Sequence, residues 1–412
     1  MGKYSLIVVG GFVITFGIIK GNINRVSERF TDNLASSYSR DVARDIAASG
    51  ARIAVRKLVE DFNWRTGWYG RAMFGGTSAA ALADKSADTS LTLSQVRITS
   101  IGTYGVLTDT AVVVWRKASF SEFAYFTNVE PVINFTTGDS LKGPVHTNGT
   151  IHISGNPVFV GKVTSPNNWS GSGSPKFLGG ADFNYGTIAL PVDVTPVKTA
   201  AQNGGLALAP ASGKSLWLEF QADGTVRHTI LNDGTAPTGG TAWTTVALSS
   251  FNGVIHSTRD VRLKGTVNGK VTLASDANIY VEDNILYAAD PRVGASDDLL
   301  GIVSDVDVIV ADNTANQTHC EIDACILALG KFRVQNHNTG TVRGTLTVLG
   351  GVVQETRGAV GTAPGGVLAT GYYKNYQYDS RLLNDAPPLY PTTGENTAGN
   401  PYAPGRVVQW YQ

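Results

Sequence analysis

The 412-residue chain carries 33 lysine and arginine residues against 33 aspartate and glutamate, a net charge of zero, and charged residues make up only 16% of it. That length implies two or three structural units, and the neutral balance argues against the basic surface of a generic nucleic-acid or acidic-lipid binder. Gly, Thr, Asn, Ser and Val take the place of charge. This mixture suits short strands and tight turns, because β-branched side chains fill a pleated face while Gly and Asn tolerate positive φ.

Tyr4 to Ile19 contains no charged residue. As a helix it spans about 24 Å, against about 30 Å of hydrocarbon in a bilayer. Lys3 and Lys20 bracket the run and can snorkel so that it just crosses. A cleaved secretory signal needs a small-x-small site after the apolar core, and Gly17 to Arg25 offers no convincing one, so an uncleaved anchor is expected. From Gly21 to about Phe62 there is no proline, and Ile23, Val26, Phe30, Leu34, Tyr38, Val42 and Ile46 form an apolar row spaced by four after Val26. Each such step overshoots a helical turn by about 40°. The row therefore winds partway round the helix, a surface that several neighbouring helices cover better than one packed domain. Small residues around it (Ala35, Ser36, Ser37, Ala43, Ala47, Ala48, Gly50, Ala51, Ala54) permit close helix approach. The predicted packing set is Leu6, Ile7, Val8, Val9, Phe12, Val13, Ile14, Phe16, Ile18 and Ile19 together with that row, on a helix about 90 Å long if continuous from Lys3 to Phe62.

With Gly2, the apolar run, the glycines Gly10, Gly11, Gly17 and Gly21, and the amphipathic continuation, this region resembles the type IV pilin superfamily. The resemblance implies a leader ending at Gly2. It also implies a helix that anchors the subunit in the inner membrane before assembly and becomes the filament core afterwards. Implied partners are further copies of the chain, other pilin-like subunits and secretion machinery, with the filament at the cell surface. Pilins place Phe just after the leader glycine and Glu at the fifth mature position; Lys3 and Ile7 stand there instead. A pilin-like protein without standard maturation is the expectation.

After Phe62, Gly67, Gly70, Gly75 and Gly76 break the helix, and Ser78 to Thr89 reads as a loop or short helix. From Leu91, alternation through Ile98 and again at Ala111–Trp115 predicts antiparallel strands covered on one face. From about Ala124, short strands such as Thr150–Ile153, Pro157–Val160, Asp260–Leu263, Lys270–Leu273, Val306–Val310 and Cys325–Leu329 are each closed by Gly, Asn or Asp. The gaps are too short for crossover helices and too irregular for a hairpin meander. A β-solenoid satisfies the pattern, and a β-sandwich is the alternative. The predicted fold is α+β, mainly β: a long helix over 1–63, a small antiparallel sheet over 64–123, and a solenoid (parallel β-helix) over 124–370. An insertion with a hairpin is expected to project at about 165–251, and an aromatic tail over 371–412 to pack on the solenoid or cap it. Gly138–Gly149 with Thr150–Phe159, and Gly371–Pro388, resemble an uncharacterised family of surface proteins that joins a pilin-like helix to a β-helix. That resemblance implies architecture and location, without an activity.

Cys320 and Cys325 lie in Thr-His-Cys-Glu-Ile-Asp-Ala-Cys. A local disulfide is the leading reading; two buried thiols and a metal site with His319 and Asp323 are the others. Asp305 and Asp307, with Asp312 nearby, form the one carboxylate grouping that a polysaccharide-cleaving β-helix would use, and read more simply as turn and edge residues. His146 and His152 face solvent or satisfy turn carbonyls in the same simple reading. No phosphate loop, redox motif or nucleophile elbow occurs, so no cofactor, metal or catalysis is expected. The predicted role is a structural subunit of a pilus-like filament. The alternatives are a membrane-tethered or tip-located adhesin that binds carbohydrate, a surface or DNA, and a tethered polysaccharide lyase or hydrolase.

Overall fold

The structure is a computed structural model and describes residues 2–91, 95–191, 193–393 and 406–411. It divides into two compact units: Met1–Leu91, Gln95–Arg116 and Val407–Gln412 in the first, Thr92–Ser94 and Lys117–Arg406 in the second.

In the first unit, helix α1 (Gly2–Glu60) runs unbroken for 59 residues. Strands β1 (Trp68–Met73), β2 (Gly76–Ala83), β3 (Gln95–Tyr104) and β4 (Leu107–Arg116) form an antiparallel meander beside it. The strand Arg406–Tyr411 completes the sheet next to β4. Val96 and Ile98 of β3 and Ala111, Val113 and Trp115 of β4 alternate inward onto Ala47, Ala51, Ala54 and Leu58 of the helix. Contact is close enough that a Cβ on Gly102 would fall 2.1 Å from the Ala43 carbonyl oxygen.

Three sequence expectations are corrected here. The small residues Ala43, Ala47, Ala48, Gly50, Ala51 and Ala54 seat the helix on its own sheet, where all six are buried. Ile46, assigned to a filament core, is fully buried in that contact, and Val42 is half-buried. The segment from Ser78, read as a loop or short helix, is strand β2 as far as Ala83; its alanines and serine fit the narrow space under α1, where Ser78 and Ala80 are buried. Residues 92–94, the predicted start of the next strand, lie outside the described residues.

The second unit is a large, mainly β body of parallel strands stacked coil on coil. Ser140–Lys142 pairs with Val158–Phe159 and that with Lys176–Phe177; Val145–Thr147 pairs with Val163–Thr164 and that with Ala181–Asp182. Each step is 18 residues, as Val145, Val163 and Ala181 show. A second run begins at Leu206–Leu208 and climbs through Val254–Ser257, Lys270–Ser275, Leu299–Ser304, Cys320–Ala328 and Val342–Thr356. The top of this run, Val352, then pairs with Tyr125 of the first. The later half of the chain therefore precedes the earlier half along the stack.

This order corrects two further boundaries. Most of the predicted insertion is coil: residues through Asp182 keep the 18-residue register, and Leu206–Leu208 and Lys214–Phe220 pair in parallel with the following coil. Only Thr225–Asn232 and Thr244–Ala247 form an antiparallel extension. The segment 183–205, with helix α2 (Thr195–Gln202), returns along the outer face, where Ile188, Val194, Val197 and Ala201 pack on Val254, Val303 and Leu327. The start of the predicted tail, Thr370–Gln377, is a coil strand paired on both sides. Leu382 and Tyr390 then cover the outer face, residues 394–405 lie outside the described residues, and the last strand belongs to the first unit, where Arg52 lies 5.8 Å from the Trp410 ring centroid.

Candidate assembly surface

From Leu6 to Leu34 the apolar side chains of α1 are exposed, and contact with the sheet begins around Tyr38, whose ring meets Tyr104 edge-on. Every member of the predicted packing set from Leu6 to Tyr38 is between 49% and 78% exposed. Leaving such side chains in water is unfavourable, since each Val, Leu, Ile or Phe moved from water into an apolar setting gains about 1.5–3 kcal/mol. An apolar surface of this extent marks an interaction site. The helix is long and apolar enough, by length and composition, to cross a bilayer. The serine and threonine of the apolar run suit apolar surroundings: Ser5 donates to the Gly2 carbonyl at 3.1 Å and Thr15 to that of Gly11 at 2.8 Å, so neither needs water. Lys20, Arg25, Glu28, Arg29 and Asp32 enter only after the apolar run.

The chemistry-bearing residues of the second unit serve its packing. Cys320 and Cys325 are free and buried, which overturns the disulfide. Both lie in the single strand Cys320–Ala328, where a five-residue step is about 16 Å and places side chains on opposite faces. A disulfide needs Cα atoms within about 7 Å. Cys320 joins the interior cluster and Cys325 the outer one. Burial pushes the Cys320 thiol up to about 12.

Asp305 and Asp307 diverge. Asp305 accepts the Val194 N–H at 2.9 Å, with burial raising its pKa, while Asp307 pairs with Arg333 at 2.7 Å in the next coil. Asp312 pairs with Arg343 at 3.0 Å. His146 is buried against Phe126, ring centroids 5.2 Å apart. Its Nε2–H donates to Asn148 Oδ1 at 2.9 Å, the tautomer following from Asn148, whose Oδ1 also accepts the Ile188 N–H. Burial lowers its pKa to about 4. His152 Nδ1 stands 2.9 Å from the Ser170 hydroxyl. Among the described residues, no group of three or more His, Cys, Asp or Glu is placed to hold a metal.

The sequence reading missed two buried ion pairs that close the junction between the two runs of coils: Arg357–Glu130 at 3.2 Å and Lys374–Asp139 at 2.8 Å. Their separations of 227 and 235 residues left no local signal.

Residues 94–167 match a family described as a domain of unknown function, DUF4900. No curated protein matches the chain. Among solved structures, the chain is similar to the competence-associated pilin ComZ from Thermus thermophilus, at 13% identity and a TM-score of 0.35, over 90% of this chain and 97% of that one.

Proposed function

We propose that the chain is a structural subunit of a type IV pilus-like filament, held in the cytoplasmic membrane by the first part of α1 and displaying its β units at the cell surface once assembled. The observation that carries this reading is the contrast within one helix. Side chains from Leu6 to Tyr38 are exposed, whereas Ala43, Ile46, Ala47, Ala51, Ala54 and Leu58 are buried on the chain's own sheet. The uncovered part needs an apolar environment, which lipid supplies first and neighbouring copies of the same helix supply later. Leaving the bilayer is unfavourable unless those copies bury the same area, so extraction and polymerisation are coupled. The role is mechanical and requires neither cofactor nor catalysis.

Val13→Asp or Phe16→Asp is expected to abolish filaments seen by electron microscopy of sheared cells, because a carboxylate on that surface costs about 2.5–3.5 kcal/mol in lipid and more in a dry helix bundle. The β units should keep their unfolding transition. Normal filaments from either variant sink the proposal.

A further inference from the structure

We propose that the two hairpin tips of the first unit, Phe74 and Val106, form a docking surface for the apolar segment 4–19 of a second copy of this chain. The inference rests on the filament reading and deepens it by naming where one copy's segment lands on another.

The β1–β2 turn carries Phe74 and Gly75, and the β3–β4 turn carries Gly105 and Val106. Register places both turns at one end of the sheet: Met73 pairs with Gly76, Thr77 with Thr103 and Tyr104 with Leu107. Helix α1 leaves its sheet at this same end. Gly50 lies against Ser100 and Gly102 against Ala43 and Ala47, so toward Tyr104 the helix runs to its uncovered part. There the Tyr38 ring meets Tyr104 edge-on at 6.2 Å. Tyr104 and Tyr38 thus link the tips to the exposed helix, and none of Phe74, Val106, Tyr104 and Tyr38 carries a formal charge.

Two features mark the tips as made for contact. Val106 is 97% exposed and Phe74 65%. Phe74 also sits at φ 49°, a left-handed conformation that turns ordinarily give to Gly or Asn. A bulky ring is held there at a conformational cost, and within its own unit it stays facing outward.

A bilayer is the weaker occupant. Nineteen residues separate Ile19 from Tyr38, about 29 Å along the helix, and Lys20, Arg25, Glu28, Arg29 and Asp32 lie between. A membrane holding residues 4–19 does not reach the tips. A second copy shifted along the helix axis by about 39 Å, the rise from Phe12 to Tyr38, brings its own uncharged segment to the uncharged tips.

The test uses the full chain in native membranes and sheared filaments. Phe12→Cys with Phe74→Cys is expected to give a ladder of disulfide-linked subunits on mild oxidation, because the native Cys320 and Cys325 are buried. Phe12→Cys with Lys85→Cys, beyond the opposite end of β2, is expected to stay unlinked. Phe74→Lys should lower filament yield about tenfold or more, the scale of losing one buried aromatic anchor. Phe74→Gly relaxes the left-handed turn, so it should melt no lower than the parent and yet also lose filaments. Normal filaments from both Phe74 variants, or filaments without the 12–74 link, overturn this docking while leaving the filament reading intact. Quenching of a fluorophore on Phe74→Cys by brominated lipid overturns it in favour of the membrane. No filaments from the parent chain, or no effect of Val13→Asp, defeats the underlying reading and this one with it.

Discussion

Asp323 is 2% exposed in the strand Cys320–Ala328. One of its carboxylate oxygens accepts the Tyr287 N–H at 3.0 Å, while Oδ1 has no hydrogen-bond partner among the described residues. Burial pushes its pKa up to about 6, above the usual value near 3.9 for an unfolded chain. The folded state therefore holds this proton longer. Its stability contribution is full below about pH 4, falls as pH rises to about 6, and is absent beyond. Asp323→Asn, which cannot ionise, is expected to stabilise the protein by roughly 2–3 kcal/mol at pH 7 and by little at pH 4. Denaturant melts at the two pH values check this; an equal gain at both would assign the effect to packing. Residue-level chemistry was hard to read in this stretch for a related reason. The run Cys-Glu-Ile-Asp-Ala-Cys fits a loop closed by a disulfide as well as a strand, and only the strand, with its period of two, sends the cysteines to opposite faces. In the same strand Asp323, weighed in the sequence only as a metal partner with His319, is buried and accepts the Tyr287 N–H instead.

Among the elements, the long helix was legible because absence of charge, absence of proline and a four-residue apolar spacing all act locally. Where its own sheet begins to cover it was not legible, since Ala43, Ala47 and Ala51 suit any close neighbour. The first coils carry a signal that the strand-by-strand reading passed over. Leu141, Phe159 and Phe177 recur at 18 residues, as do Gly143, Gly161 and Gly179. Phe159 stacks on Phe177 with centroids 5.1 Å apart, which is the first of these periods seen in packing. In the second run the period drifts: Leu273 pairs with Ile302, Ile302 with Ile326 and Ile326 with Val352, steps of 29, 24 and 26 residues, because loops of different length leave the coil. The glycine period states a steric requirement. A Cβ on Gly161 would fall 1.9 Å from the Gly143 carbonyl oxygen, and one on Gly179 would fall 2.5 Å from the Gly161 carbonyl carbon. These neighbours are backbone and cannot swing aside. Gly161→Ala is expected to destabilise the second unit by about 2–4 kcal/mol, read as a lowered melting temperature. Gly239→Ala, with nothing within 4 Å of its Cβ, should change little.

At the scale of the whole molecule, the second unit depends on a junction between strands far apart in sequence. Val352–Thr356 meets Tyr125–Val129, and Asn375–Gln377 meets Ser140–Lys142. The Asn128 amide donates to Glu355 at 2.7 Å across this junction. Arg357 pairs with Glu130 there, both essentially without exposure, and lies 3.7 Å from the Phe135 ring centroid. The strands of 124–182 pair with the rest of the stack, among the described residues, at this junction, while the segment after Asp182 leads the chain back to the other end. No sequence reading could order the coils this way, since nothing in Glu130 or Asp139 names a partner more than two hundred residues on. Cutting the chain in the return segment leaves two pieces with complementary ends. A piece ending at residue 184 has an interior strand edge and buried acids without their cations, so its coil run should lack parallel β structure by circular dichroism. Mixed with a piece spanning 185–412, it is expected to recover that structure. Arg357→Met in the larger piece should weaken recovery strongly, because it strands the Glu130 carboxylate at a cost of about 3–5 kcal/mol. A 124–182 coil run that folds alone, or recovery unaffected by Arg357→Met, counts against the junction as what holds the stack together.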